Sequence, residues 1–236
     1  MKFLHRHATL TMAVAASCVA LAGCDNTDNG TGFSDQATVR FVNALSGTTS
    51  GSLGLTANGS AQGSGVAYQS YGACQHLTPA STTFAFGESS TALATIPAQT
   101  LEAGTRYTVV ATGTATTPTY LFLNDTYTTP AAGRARLRII NAADATPLDV
   151  YVSAPGASLG TANLTSVPFD NSDATAAFID VPDGSTQVRV TEHGSLVVLG
   201  STSAFTLNSG DVATVVVMPA TTLGGDFNLV LVPECP

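Results

Sequence analysis

The chain has 236 residues, only 10% of them charged, and no tryptophan. A composition led by Thr, Ala, Gly, Val and Ser disfavours long amphipathic helices and favours strands. The formal charge is −8 with only eight Lys and Arg, which excludes a phosphate-tracking surface and so nucleic acid as a partner.

The first element in chain order is an address. Lys2 and Arg6 precede an uncharged apolar stretch from about Ala8 to Ala22, the layout of a secretory signal peptide. That stretch is shorter than the roughly 20 apolar residues of a spanning helix. It ends in Leu21-Ala22-Gly23-Cys24, which resembles the lipobox of bacterial lipoproteins. The resemblance implies cleavage between Gly23 and Cys24, transfer of a diacylglyceryl group to the Cys24 thiol, and acylation of the new amine by a palmitate-like chain. A rival at Ala15-Ala16-Ser17-Cys18 lacks the leading Leu and would cut the apolar stretch short. Several acyl chains, at about 0.8 kcal/mol per buried CH₂, give stable anchoring where one would be marginal. Asp25 followed by Asn26 resembles an inner-membrane retention signal of enteric lipoproteins and tilts the choice from outer to inner membrane. The expected place is the cell envelope, on its periplasmic or exterior face. Without residues 1–23 the chain keeps six Arg against sixteen acids and no Lys, a formal charge of −10.

Residues 24–36 follow as lipidated cysteine and tether. Asp25, Asn29 and Gly30 are spaced like the start of a calcium loop, but Thr27 and Gln36 stand where that loop needs stronger oxygen ligands. A solvated tether is the better reading.

The remainder repeats itself. Val39-Arg40-Phe41-Val42-Asn43-Ala44 matches Leu137-Arg138-Ile139-Ile140-Asn141-Ala142. Gly65-Val66-Ala67-Tyr68 echoes Ser166-Val167-Pro168-Phe169, and Thr100-Leu101-Glu102-Ala103-Gly104 matches Thr206-Leu207-Asn208-Ser209-Gly210. Leu121-Phe122-Leu123 matches Leu229-Val230-Leu231. Four matches in one order predict a first domain over 37–129, a linker over 130–133 and a second domain over 134–236. Within each copy short apolar runs alternate with turn signals such as Asn58-Gly59 and Pro182-Asp183-Gly184. The expected fold is all-β: two tandem immunoglobulin-like or transthyretin-like sandwiches. The alternation in Ala135-Arg136-Leu137-Arg138-Ile139 places both arginines toward water.

Arg138-Ile139-Ile140-Asn141-Ala142, leading through Pro147 to Asp149-Val150-Tyr151-Val152, resembles the bacterial envelope family known as domain of unknown function 4397. The second copy carries that pattern well. The first keeps Arg40 to Ala44 and then departs, with Gly51-Ser52-Leu53-Gly54-Leu55. The resemblance covers about residues 37 to 232. It implies β-sandwiches, often in tandem and often on lipoproteins, and it implies no particular chemistry.

Of four cysteines, Cys18 leaves with the signal and Cys24 carries lipid, so Cys74 and Cys235 remain. An exported protein meets an oxidising compartment, which predicts that the two pair. Lone cysteines lack the close spacing of zinc ligands, and neither a metal nor a cofactor is expected.

Catalytic signals are weak. His76 and His193 are the histidines left after the signal, and no Gly-x-Ser-x-Gly elbow accompanies them. His193 reads as a hairpin turn, and a Cys74–His76 nucleophile pair closes once Cys74 is oxidised. The second copy holds Asp144, Asp149, Asp170, Asp173, Asp180 and Asp183, most of them in turn settings. Tyr68, Tyr71, Tyr120 and Tyr127 suggest strand packing more than a stacking platform. The expectation is a non-enzymatic binding or scaffold module for an envelope protein or glycan. A carbohydrate hydrolase is the alternative, and it needs Asp149, Asp170, Asp173 and Asp180 to converge. A third reading is a spacer with no ligand.

Overall fold

The computed structural model describes residues 35–89, 91–143, 146–171, 178–220 and 226–235. The signal, cleavage, lipidation and sorting residues (Gly23, Cys24, Asp25, Asn26) lie outside them, as do Asp144 and Asp173.

The first repeat runs β1 (Ala37–Asn43), β2 (Ser52–Ala57), β3 (Ser60–Ala67), β4 (Ser70–Tyr71), β5 (Gln75–Leu77), β6 (Ser81–Glu88), β7 (Thr91–Thr100), β8 (Arg106–Thr114) and β9 (Thr117–Asn124). The second runs β10 (Arg134–Asn141), β11 (Leu148–Ser153), β12 (Leu164–Val167), β13 (Ile179–Pro182), β14 (Gly184–Glu192), β15 (Val198–Ser201), β16 (Phe205–Leu207), β17 (Val212–Met218) and β18 (Asn228–Pro233). Among the described residues there is no helix.

The two repeats share one topology. The sheet with β5 and β4 on one edge of β1, then β8 and β9, corresponds to β13-β10-β17-β18, with β5 and β13 in equivalent registers, and β3-β2-β6-β7 corresponds to β12-β11-β14-β15. In each, the first strand pairs in parallel with the eighth or its equivalent, β1 with β8 and β10 with β17. Turn chemistry repeats as well. Gly104 and Gly210 both adopt positive φ, 70° and 92°, a left-handed conformation open to glycine at little cost. Their amides donate to the Gln36 and Arg134 carbonyls. The fold is therefore two β-sandwiches, as the periodicity predicts.

What the periodicity did not show is how the sandwiches meet. Side chains alternate across a strand. In β1, Ala37, Val39 and Phe41 enter the first core with Leu53, Phe84, Phe86 and Val109. In β10, Ala135, Leu137 and Ile139 enter the second core with Val150, Val188 and Val215. The opposite faces build a third core, in which Val42, Val110, Leu121 and Leu123 pack with Ile140, Val216, Met218 and Val232. The sheets containing β1 and β10 thus lie back to back across an apolar seam. Residues 32–236 form one compact unit.

This seam overturns the expectation that both arginines of β10 face water. Arg138 is 2% exposed, and Arg136 is half-buried. Alternation correctly separates the two faces of β10, but the outer face is covered by another sheet rather than by solvent. The nearly continuous apolar run of β17, all seven residues buried, has the same cause: a strand with a core on each side.

Candidate functional site

The seam has a polar end, and repeat-equivalent residues build it. Arg40 and Arg138 occupy matching positions on β1 and β10, opposite Thr108 and Thr214 of the parallel partners. Arg138 donates from Nε to Thr214 Oγ1 at 3.1 Å and from Nη1 to the Asn124 carbonyl at 3.3 Å. Its Nη2 is ion-paired with Asp125, whose other oxygen accepts from Thr108 Oγ1 at 2.7 Å. The guanidinium also lies 4.9 Å from the Phe178 ring centroid, a cation–π distance. Arg40 has different partners. It donates to the Pro233 carbonyl, touches Cys74 Sγ at 2.7 Å and lies 5.2 Å from the Tyr71 ring centroid. Its Nε is buried without a hydrogen-bond partner, and burial lowers its pKa from the ordinary arginine value.

Cys74 and Cys235 are joined in a disulfide, with Cα atoms 5.9 Å apart. The bond crosses the seam and spans 161 residues of sequence, a loop for which the chain-entropy model gives about 5 kcal/mol. It also closes the Cys74–His76 nucleophile reading; His76 Nδ1 sits 3.2 Å from Thr38 Oγ1. Beside the bond, both carboxylate oxygens of Glu234 are buried without an ordinary hydrogen bond. Burial raises the Glu234 pKa to about 7, against the pull of the nearby Tyr127 hydroxyl and of Arg106. Tyr127 packs edge-on against Phe178 at 5.7 Å, and burial with the Glu234 carboxyl pushes its hydroxyl up to about 12. A cavity of about 10 Å³, room for about one water, lies among Arg40, Asp125, Arg138 and Glu234.

The far end of the seam repeats a corner. Gln69 and Asp170 both adopt positive φ, and their amides donate to the Asn43 and Asn141 carbonyls. Asn43 and Asn141 are fully buried and donate from Nδ2 to the Val66 and Val167 carbonyls at 2.9 and 3.3 Å. Each corner then reaches across. Gln69 Nε2 and the Tyr68 hydroxyl donate to the Pro219 carbonyl at 2.5 and 3.2 Å, and Thr119 Oγ1 donates to Asp170 at 2.8 Å. Burial raises the pKa of Asp170.

The carboxylates that the hydrolase reading needs are held separately. Asp149 on β11 accepts from the Ser166 and Gly194 amides at 2.9 and 3.0 Å and contacts His193 Nδ1 at 2.8 Å. Burial opposes its charge, yet the Gly194 amide, His193 and the Ser166 amide hold its carboxyl below the usual range. His193 lies in the predicted turn, between β14 and β15. Asp180 on β13 pairs with Arg136 at 2.5 Å, which lowers its pKa. Asp149, Asp170 and Asp180 share no hydrogen-bond partner among the described residues. Nor do three His, Cys, Asp or Glu side chains gather there as a metal-ligand set.

Two surfaces remain open. Leu196 and Val197, at the β14–β15 hairpin, are 70% and 69% exposed. The sheet β3-β2-β6-β7 carries a single charge, Glu88 at the end of β6.

Sequence reasoning missed Asp125, Arg138 as a seam residue, and Glu234. A signal existed for the last, since Glu234 adjoins the cysteine expected to tie the C-terminus to the first repeat.

Fold and seam together define a class: an all-β protein of two sandwiches joined through their first-strand sheets. Residues 37–151 match the family model of a domain of unknown function, DUF4397. The match takes in the first sandwich and ends inside β11, so it includes Arg40–Ala44, Arg138–Ala142 and Asp149–Tyr151. No curated protein matches the chain.

Proposed function

We propose that the chain is a lipid-anchored envelope protein, a non-enzymatic binding or scaffold module that presents two β-sandwiches from a short tether. The observation that carries this reading is Leu21-Ala22-Gly23-Cys24 at the end of an apolar stretch, with a polar segment behind it. The cross-seam disulfide agrees with it, because such bonds persist in oxidising compartments. Asp149, Asp170 and Asp180 are engaged separately, in an amide clamp, a contact with Thr119 and an ion pair with Arg136.

The exposed Leu196–Val197 hairpin is the contact surface this reading favours, since contiguous exposed apolar residues mark interaction sites. An envelope protein or glycan is the expected partner. Nucleic acid is not: Arg40 and Arg138 are buried in the seam and Arg136 is paired with Asp180. Asp25-Asn26 favours the inner membrane.

A Cys24→Ser protein expressed in a bacterial host, labelled with an alkyne fatty acid and fractionated, tests the reading. Loss of both label and membrane retention is the expected result. Unchanged retention in the variant would refute the anchor.

A further inference from the structure

The two sides of the seam's far end differ. The repeats align Tyr68 with Phe169, since Asn43 and Asn141 bond the Val66 and Val167 carbonyls alike. They align Gly113 with Pro219 through the matched registers of β1–β8 and β10–β17. On one side the Tyr68 hydroxyl donates across the seam to the Pro219 carbonyl at 3.2 Å and fastens it. On the other, Phe169 has no hydroxyl to offer Gly113, whose carbonyl accepts from Ser46 Oγ at 3.2 Å instead. A cleft of about 400 Å³ stands there, within the roughly 300–1,000 Å³ of small-ligand sites.

Both repeats build the cleft: Ser46, Thr114, Thr117 and Thr119 from the first, Phe169 and Pro219 from the second. Its described lining carries no charged side chain, so an ionic ligand would give up water there without a counter-ion. Phe169 is half-buried and enters none of the three cores; its ring borders the cleft instead. The hydroxyls are set as acceptors. Ser46 donates to the Gly113 carbonyl, and Thr119 donates to Asp170 Oδ2 at 2.8 Å, which leaves lone pairs on both oxygens. Thr114 and Thr117 bond each other at 2.8 Å. The ligand that suits this set is uncharged, donates several hydroxyl protons and turns an apolar face to Phe169 and Pro219. A pyranose ring has all three properties, with hydroxyls around its rim and C–H groups on its faces.

We propose that this cleft binds a neutral sugar unit of an envelope glycan, between the sandwiches and apart from the Leu196–Val197 hairpin. The inference rests on the binding-module reading and narrows its partner at this site to a glycan; it does not depend on the lipid anchor. It also gives the fused seam a use, because neither sandwich alone supplies the whole lining.

The test is an NMR titration of the isotope-labelled mature chain in a zwitterionic detergent without sugar headgroups. The probes are maltotetraose, cellotetraose and chitotetraose at millimolar concentration, with acetylated trialanine amide as a peptide probe. At least one sugar should shift the amides of Ser46, Thr117, Thr119 and Phe169, and the peptide should not. Phe169→Leu keeps apolar bulk and removes the ring, and it should weaken that binding by about tenfold. Val197→Asp, on the separate hairpin, should leave it unchanged. If Phe169→Leu does not fold, Thr117→Tyr, which puts bulk at an exposed rim position, carries the same expectation. No shift with any of these sugars, shifts centred on another surface, equal shifts with the peptide, or undiminished affinity in the cleft variant would overturn the proposal. These outcomes are independent of the Cys24→Ser fractionation, so the cleft and the anchor can fail separately.

Discussion

The two sandwiches share strand order, corners and a matched arginine, yet they place charge differently. In the first, the outer sheet carries only Glu88, and Arg40 is engaged by a carbonyl and a sulfur while its Nε has no partner. In the second, the outer sheet carries Asp149, Arg189 and Glu192, and Arg138 is ion-paired with Asp125. Parallel pairing of the first strand puts an arginine at the same seam position in both, opposite a threonine. The repeat sets backbone geometry and burial; the loops that follow decide which partner neutralises the charge. By strand register Asp125, after β9, corresponds to Glu234, after β18; Asp125 is ion-paired with Arg138, whereas Glu234 forms no ion pair with Arg40.

That contrast can be broken at the arginines. Arg138→Met strands the buried carboxylate of Asp125 and should cost about 3–5 kcal/mol, the usual penalty for half of a buried pair. Arg40→Met leaves only a carbonyl and a sulfur without their donor and should cost about 1–2 kcal/mol. Urea unfolding of both variants measures the difference. Equal losses would mean that the ion pair adds nothing beyond what the shared position provides.

A smaller effect sharpens the contrast between outer sheets. Asp149→Asn weakens the clamp on the Ser166 and Gly194 amides and on His193, for about 1–3 kcal/mol. The Asp149 carboxyl titrates below its unfolded value, 3.8. Its contribution is therefore complete above that value and is lost as pH falls through the folded pKa. The native chain and the variant should thus converge in stability as pH falls below 3.8 and the folded carboxyl is protonated, and thermal melts at several pH values check this. A gap that persists into strong acid would assign Asp149 a packing role instead.

Much of the fold was legible in the residues. Period-2 alternation placed Leu137 and Ile139 in a core, the repeated Asn-Ala step marked equivalent positions in the two copies, and two leftover cysteines in an exported chain implied their bond. The seam was not legible, because alternation reports that a strand has two environments without saying what covers the second. Thr38, Arg40 and Val42 share one face of β1, and all three are buried because another sheet is laid on them. Arg138 was misread for that reason. Asp125 and Glu234 were invisible because each gains its meaning from residues brought together across the seam, and neither has a periodic signature. For the N-terminus the situation is reversed: the motif around Cys24 is read from sequence alone.

Differential scanning calorimetry of residues 35–236 tests most directly the central claim, that two sandwiches share a third core and behave as one body. The account predicts a single transition with calorimetric and van't Hoff enthalpies equal, and it predicts the same single transition, at lower temperature, in a Cys74→Ala/Cys235→Ala variant. Two separate transitions in that variant, one for each sandwich, would contradict it.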